Sequence, residues 1–106
     1  MPEISQDKTL QTIITTYEVT PGTCHDLLDE LARAYEEFVI HQPGFIGAAV
    51  HVNDAHTRIA SYSQWRRRED FQALLRSEEM RARTRRFSEL SKNFEPVMYD
   101  VVRSFG

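Results

Sequence analysis

The sequence predicts an α+β domain, an antiparallel sheet with its helices gathered on one face. Three observations carry this. Strand-like and helix-like stretches follow one another over 106 residues in the order strand, helix, strand, strand, helix pair, strand. The central stretch, Gln42 to Phe71, reads as a helix stop, a strand, a turn, a strand ending in the single Trp, and a new helix. Both faces of that hairpin are too apolar to meet water, so the sheet needs cover on both sides.

Each element has its own local reason. Leu10–Val19 (LQTIITTYEV) is rich in Thr, Ile, Val and Tyr, the composition of a strand. Pro21-Gly22 ends it. Thr23 is placed as a helix N-cap, with Asp26 at the third helical position in capping-box spacing. The helix then carries Leu27, Leu28, Leu31, Ala34, Tyr35, Phe38 and Val39 along one apolar stripe, until Pro43-Gly44 stops it. Phe45–Asn53 and Arg58–Trp65 are the hairpin strands, joined through Asp54 to Thr57.

If Asn53 faces Arg58, then Ile46, Ala48, Val50 and Val52 share a face with Ile59, Ser61, Ser63 and Trp65. Phe45, Gly47, Ala49, His51, Ala60, Tyr62 and Gln64 share the other. Glu69 to Leu75 is a short helix burying Phe71, Leu74 and Leu75. Ser77 caps the next one, which turns Met80, Thr84, Phe87 and Leu90 inward with Arg83 flanking. Pro96 to Phe105 is the last strand. This order is the split β-α-β arrangement of the ferredoxin-like fold, and one domain over residues 1–106 is expected, residues 1–8 forming a loose tail.

Composition removes several function classes. No apolar run is long enough to span a membrane, and MPEISQDK lacks the pattern of a secretory signal. A single cysteine, Cys24, fits a reducing compartment, so a cytoplasmic location is expected. Residues 66–86 hold eight Arg against four acidic side chains, but no nucleic-acid motif accompanies that patch, which reads as a solvated helix face. The four His and Cys24 fall in no metal-ligand spacing, and no glycine-rich phosphate loop is present, so neither a metal nor a nucleotide is expected. Cys24, placed at a helix N-terminus, is a candidate for a lowered thiol pKa. Trp65 is a candidate core residue or pocket wall, and Ser61, pointing the same way, puts a polar group on an apolar face.

The run Gln42–Phe45 (QPGF), a hairpin, Ser61–Trp65 (SYSQW) and then Arg68–Phe71 (REDF) resembles the antibiotic biosynthesis monooxygenase family, over roughly Leu10 to Val102. The resemblance implies a dimeric α+β barrel, a homodimer paired through the sheet faces. It also implies a cofactor-independent monooxygenase that oxidises a small aromatic anthrone or quinol with O2 to a quinone. In the quinone-forming branch the third strand commonly reads Asn-Tyr-x-Gln-Trp. Tyr62, Gln64 and Trp65 match it, Ser61 replaces the Asn, and Phe71 stands where some members have a Tyr.

The site implied is Trp65, Ser61, Arg81 and Arg83 as catalytic residues, with Tyr62, Phe71 and Phe87 binding substrate. The haem-degrading branch needs a His on the later helix, and no His follows His56. The alternative is a module of the same fold that binds a small hydrophobic molecule, or dimerises, without catalysis.

Overall fold

A computed structural model describes residues 10–106 of the chain; the N-terminal tail expected over residues 1–8 lies outside the described residues. Four antiparallel strands, β1 (Gln11–Glu18), β2 (Phe45–Val52), β3 (Arg58–Trp65) and β4 (Asn93–Tyr99), lie in the spatial order β2-β3-β1-β4. Helices α1 (Pro21–Glu37), α2 (Arg68–Arg76) and α3 (Glu78–Leu90) cover one face, which gives the ferredoxin-like α+β fold expected from the element order. No helix among the described residues is long and apolar enough to cross a membrane.

Four local expectations need correction. Helix α1 begins two residues before the expected cap. Thr20 is the N-cap, Pro21 takes the first helical position, and Thr20 N–H donates to Thr23 Oγ1 at 3.4 Å. Proline suits that position because the N–H it lacks would have had no partner there. Cys24 therefore lies within the helix rather than at its tip, fully buried, and burial pushes its thiol pKa up rather than down. Strand β4 starts at Asn93 and ends at Tyr99. Pro96 sits inside it opposite Thr15, which an edge strand tolerates because no further strand needs its N–H. Leu75 is exposed at 39% rather than buried with Phe71 and Leu74.

The fourth correction decides the shape of the site. The hairpin register follows the Asn53–Arg58 alignment through Val52↔Ile59, Val50↔Ser61 and Ala48↔Ser63. Asn53 Oδ1 fixes it by accepting from the backbone N–H of Thr57 and of Arg58, both at 2.9 Å. Beyond Gly47 a bulge absorbs one residue, so that Phe45 rather than Ile46 pairs with Trp65. A bulge re-aims the side chains beyond it, and here it turns Phe45 toward the helices. Its ring meets Trp65 edge-on at 5.5 Å between centroids.

Two buried clusters form between sheet and helices. One holds Tyr17, Leu27, Leu31, Ile59 and Phe87; the other holds Ile13, Val39, Trp65, Phe71 and Leu74, and Met80 packs against both.

The stop after α1 is locked onto the start of α2. Gln42 Nε2 donates to the Phe38 carbonyl at 3.1 Å, and Gly44 takes φ of +85°. The Gly44 carbonyl accepts from Arg66 N–H at 2.8 Å. A Cβ on Gly44 would collide with the Asp70 carboxylate, which Arg67 holds in an ion pair at 3.3 Å. The positive φ and this close approach both require glycine. Gly44→Ala is expected to lower the unfolding free energy by about 1–3 kcal/mol, read as a lower urea midpoint; an unchanged midpoint would contradict this account of the turn.

Candidate active site

The inner sheet face and the helices bound a cavity of about 90 Å³. Alternation along the strands sets the floor: Ile13, Thr15 and Tyr17 from β1, Ser61, Ser63 and Trp65 from β3, and Phe94 and Pro96 from β4. The roof is Leu31, Ala34 and Tyr35 from α1, Phe71, Leu74 and Leu75 from α2, and Met80, Thr84 and Phe87 from α3. Every lining side chain is uncharged, so an anion formed inside would depend on hydrogen bonds and not on an ion pair.

Trp65 ends β3 with 1% exposure, held edge-on by Phe45 and at a tilt by Phe71, whose ring centroid is 5.8 Å away. Its indole Nε1–H donates to Ser63 Oγ at 3.1 Å. The Tyr35 hydroxyl and Ser61 Oγ share a hydrogen bond of 2.7 Å. Burial raises the Tyr35 pKa, while hydrogen bonds to Ser61 and Ser63 offset part of that rise. Tyr17 is raised as well, first by burial and then by the proximity of Tyr35. The site therefore holds a short polar array, Trp65–Ser63 and Tyr35–Ser61, in apolar surroundings, with both phenols kept neutral.

Of the residues singled out from the sequence, Trp65, Ser61, Phe71 and Phe87 meet in this cavity. Tyr62 does not. It lies on the opposite sheet face, paired with Ile14 and Ala49, and its hydroxyl is buried without a partner among the described residues. Arg81 is exposed at the surface. Arg83 is engaged outside the cavity, donating to Glu37 at 3.0 Å and to Glu79 at 2.9 Å. Neither Arg lines the cavity, because both diverge from the Met80–Thr84–Phe87 face of α3.

Sequence reasoning passed over Tyr35 and Tyr17 as site residues. The signal available for Tyr35 was a phenol on an otherwise apolar stripe, since a buried Tyr hydroxyl requires a partner. Ser63 was placed on the inner face but given no role; its spacing of two from both Ser61 and Trp65 was the clue.

The antibiotic biosynthesis monooxygenase family model matches residues 10–86. The chain is 28% identical over 106 residues to tetracenomycin-F1 monooxygenase of Streptomyces glaucescens, covering 100% of this chain and 94% of that protein. Among solved structures it resembles a monooxygenase from the gene ActVA-Orf6 of Streptomyces coelicolor, in complex with nanaomycin D. That match has a TM-score of 0.80 and 21% identity and covers 98% of this chain and 97% of the other. SnoaB, a cofactor-independent oxygenase from Streptomyces nogalater, matches with a TM-score of 0.73 and 14% identity, over 90% of this chain and 95% of the other. At such identities the solved structures establish the fold.

The buried phenols leave a signature in alkali. Because their folded pKa values lie above the usual value of about 10, the unfolded chain ionises first as pH rises. Their contribution to stability is complete below about pH 10 and is lost above it. The urea midpoint should fall as pH passes about 10, and less steeply in Tyr35→Phe. Equal slopes in the two proteins would contradict the assignment.

Proposed function

We propose that this chain, which belongs to the antibiotic biosynthesis monooxygenase family, oxidises a small polyketide-type anthrone or quinol with O2 to a quinone, using neither flavin nor metal. The observation that carries this is the uncharged cavity walled by Trp65, with Tyr35 of its roof hydrogen-bonded to Ser61 of its floor. The chain's similarity to a tetracenomycin-F1 monooxygenase and to a cofactor-independent oxygenase supports the same chemistry.

Ground-state O2 is a triplet and reacts slowly with closed-shell molecules, so the substrate must first become an electron-rich anion. The substrate loses a proton to water at the cavity mouth and then passes one electron to O2. The organic radical and superoxide combine, forming a C–O bond. For an anthrone this peroxide takes a proton back from water, and a second proton leaves that carbon as the O–O bond breaks, so that water is released and the quinone carbonyl remains. A quinol, which already carries both oxygens, forms no such bond. Its radical instead gives a second electron and proton to superoxide, which takes the first proton back from water and leaves as hydrogen peroxide. The protein holds the flat ring, favours the anion and keeps bulk water from the radical pair.

Trp65 walls the ring. The Tyr35–Ser61 pair, both neutral, places a hydroxyl donor where negative charge develops on a ring oxygen. This replaces the helix Arg that the family resemblance suggested, since Arg81 and Arg83 lie outside the cavity. The single cysteine, buried and unpaired, suits a reducing cytoplasm.

The working unit in this proposal is a homodimer closed through the outer sheet face. That face carries no helix, and Ile14, Ala49, Ala60, Tyr62 and Val97 lie half-buried across it. Ile14→Asp should convert a dimer to a monomer in sedimentation equilibrium; a monomeric wild type, or a variant that stays dimeric, would count against the pairing.

Activity is tested in an oxygen electrode with metal-free, flavin-free protein and a panel of anthrones and hydroquinones. Protein-dependent uptake yielding a quinone, and a loss of about ten- to a hundredfold in Trp65→Phe, is the expected result. Thermal stabilisation by these compounds without any uptake would instead identify a binding module.

A further inference from the structure

Tyr17 is the second phenol of the cavity and has no role in the chemistry above. It is 5% exposed, and its ring is fixed on two sides, stacked on Phe94 at 5.3 Å and 24° and edge-on to Phe87 at 6.3 Å and 89°. Only the rotation of its O–H bond remains free. The other aromatic donors of the cavity are engaged, Trp65 with Ser63 and Tyr35 with Ser61. Among the described residues no hydrogen bond engages the Tyr17 hydroxyl. Its oxygen is not fully sealed from solvent, so it can donate to an oxygen that a ligand brings into the cavity that Tyr17 lines.

Its position along the floor is defined by register. Tyr17 pairs with Ile59, six positions along β3 from Trp65, while Thr15 pairs with Ser61 between them. At about 3.3 Å per residue the two ends of this floor are about 20 Å apart along the backbone. Along the strands, Trp65 and Tyr17 thus stand on either side of Ser61.

We propose that Tyr17 is a specificity-determining residue of this cavity: its hydroxyl donates to an oxygen on the end of the aromatic ligand that lies farthest from Trp65. The proposal rests on the cavity being the substrate site. It selects flat aromatics that carry a hydroxyl or carbonyl at that end over the bare hydrocarbon. Two separate donors, one from the Tyr35–Ser61 pair and one at Tyr17, also fix which way round the ring enters.

Equilibrium dialysis of the full chain with 2-naphthol and with naphthalene tests this without requiring turnover. Wild type should bind 2-naphthol about tenfold more tightly, and Tyr17→Phe should lose that preference while keeping its affinity for naphthalene. Naphthalene binding reports that the variant is folded. Should the variant fail to fold, the Tyr17 ring resonances of wild type give a second reading: they should shift with 2-naphthol and much less with naphthalene. A preference retained in Tyr17→Phe, or equal shifts with both compounds, overturns the role of Tyr17 alone. Binding of neither compound by wild type overturns the cavity reading, and this proposal with it.

Discussion

The structure depends on how one large side chain is buried. Trp65 is 1% exposed at the end of an inner strand, and it cannot be placed there unless its flat faces and its N–H are all satisfied. Phe45 and Phe71 supply the ring contacts and Ser63 the acceptor. Each of these requires something of the chain elsewhere. Phe45 reaches Trp65 through the bulge between Phe45 and Gly47. Phe71 reaches it because α2 starts close against the turn after α1, an approach that glycine at position 44 permits. The QPGF and REDF stretches are thus the two clamps of one indole ring.

What the clamped Trp walls off is a space without charge. An ionic site would stabilise a substrate anion more strongly, yet it would also cost more to desolvate when empty. Neutral hydroxyls on a rigid floor are a compromise. They are polar enough to favour an anion as it forms, and the apolar roof of α2 and α3 keeps water from a radical pair. The arginines of α3 are used instead to bind that helix to α1, through Arg83 with Glu37 and Arg86 with Glu30. Exposed pairs of that kind add little stability each, and they leave the cavity neutral.

Much of the fold was legible because it follows from short-range patterns. The hairpin register came from one turn, in which Asn53 accepts from two backbone N–H groups. The cap at Ser77 is present, its Oγ accepting from Met80 N–H at 3.2 Å. The bulge was not legible, because Phe45 and Ile46 are both apolar and a period of two cannot register an extra residue between them. Thr20 and Thr23 compete as caps on composition, and only the preference of proline for the first helical position separates them. Trp65, Ser61, Phe71 and Phe87 could be grouped in advance through strand alternation and helix spacing. Tyr62 was drawn into the site by its motif, although alternation alone puts it on the opposite face. Tyr35 looked like one more member of an apolar stripe, since nothing in its spacing says that its hydroxyl reaches Ser61.

The central claim is that flat aromatics bind between the helices and the inner sheet face, against Trp65. The indole N–H resonance of Trp65 reports on this directly, because the chain has a single Trp. On titration with 2-naphthol the account predicts a saturable shift of that resonance, together with shifts of Tyr35 and Phe71 at the same midpoint. Shifts confined to Ala49, Ala60 and Tyr62, with the Trp65 resonance unmoved, would place the ligand on the outer sheet face and contradict it.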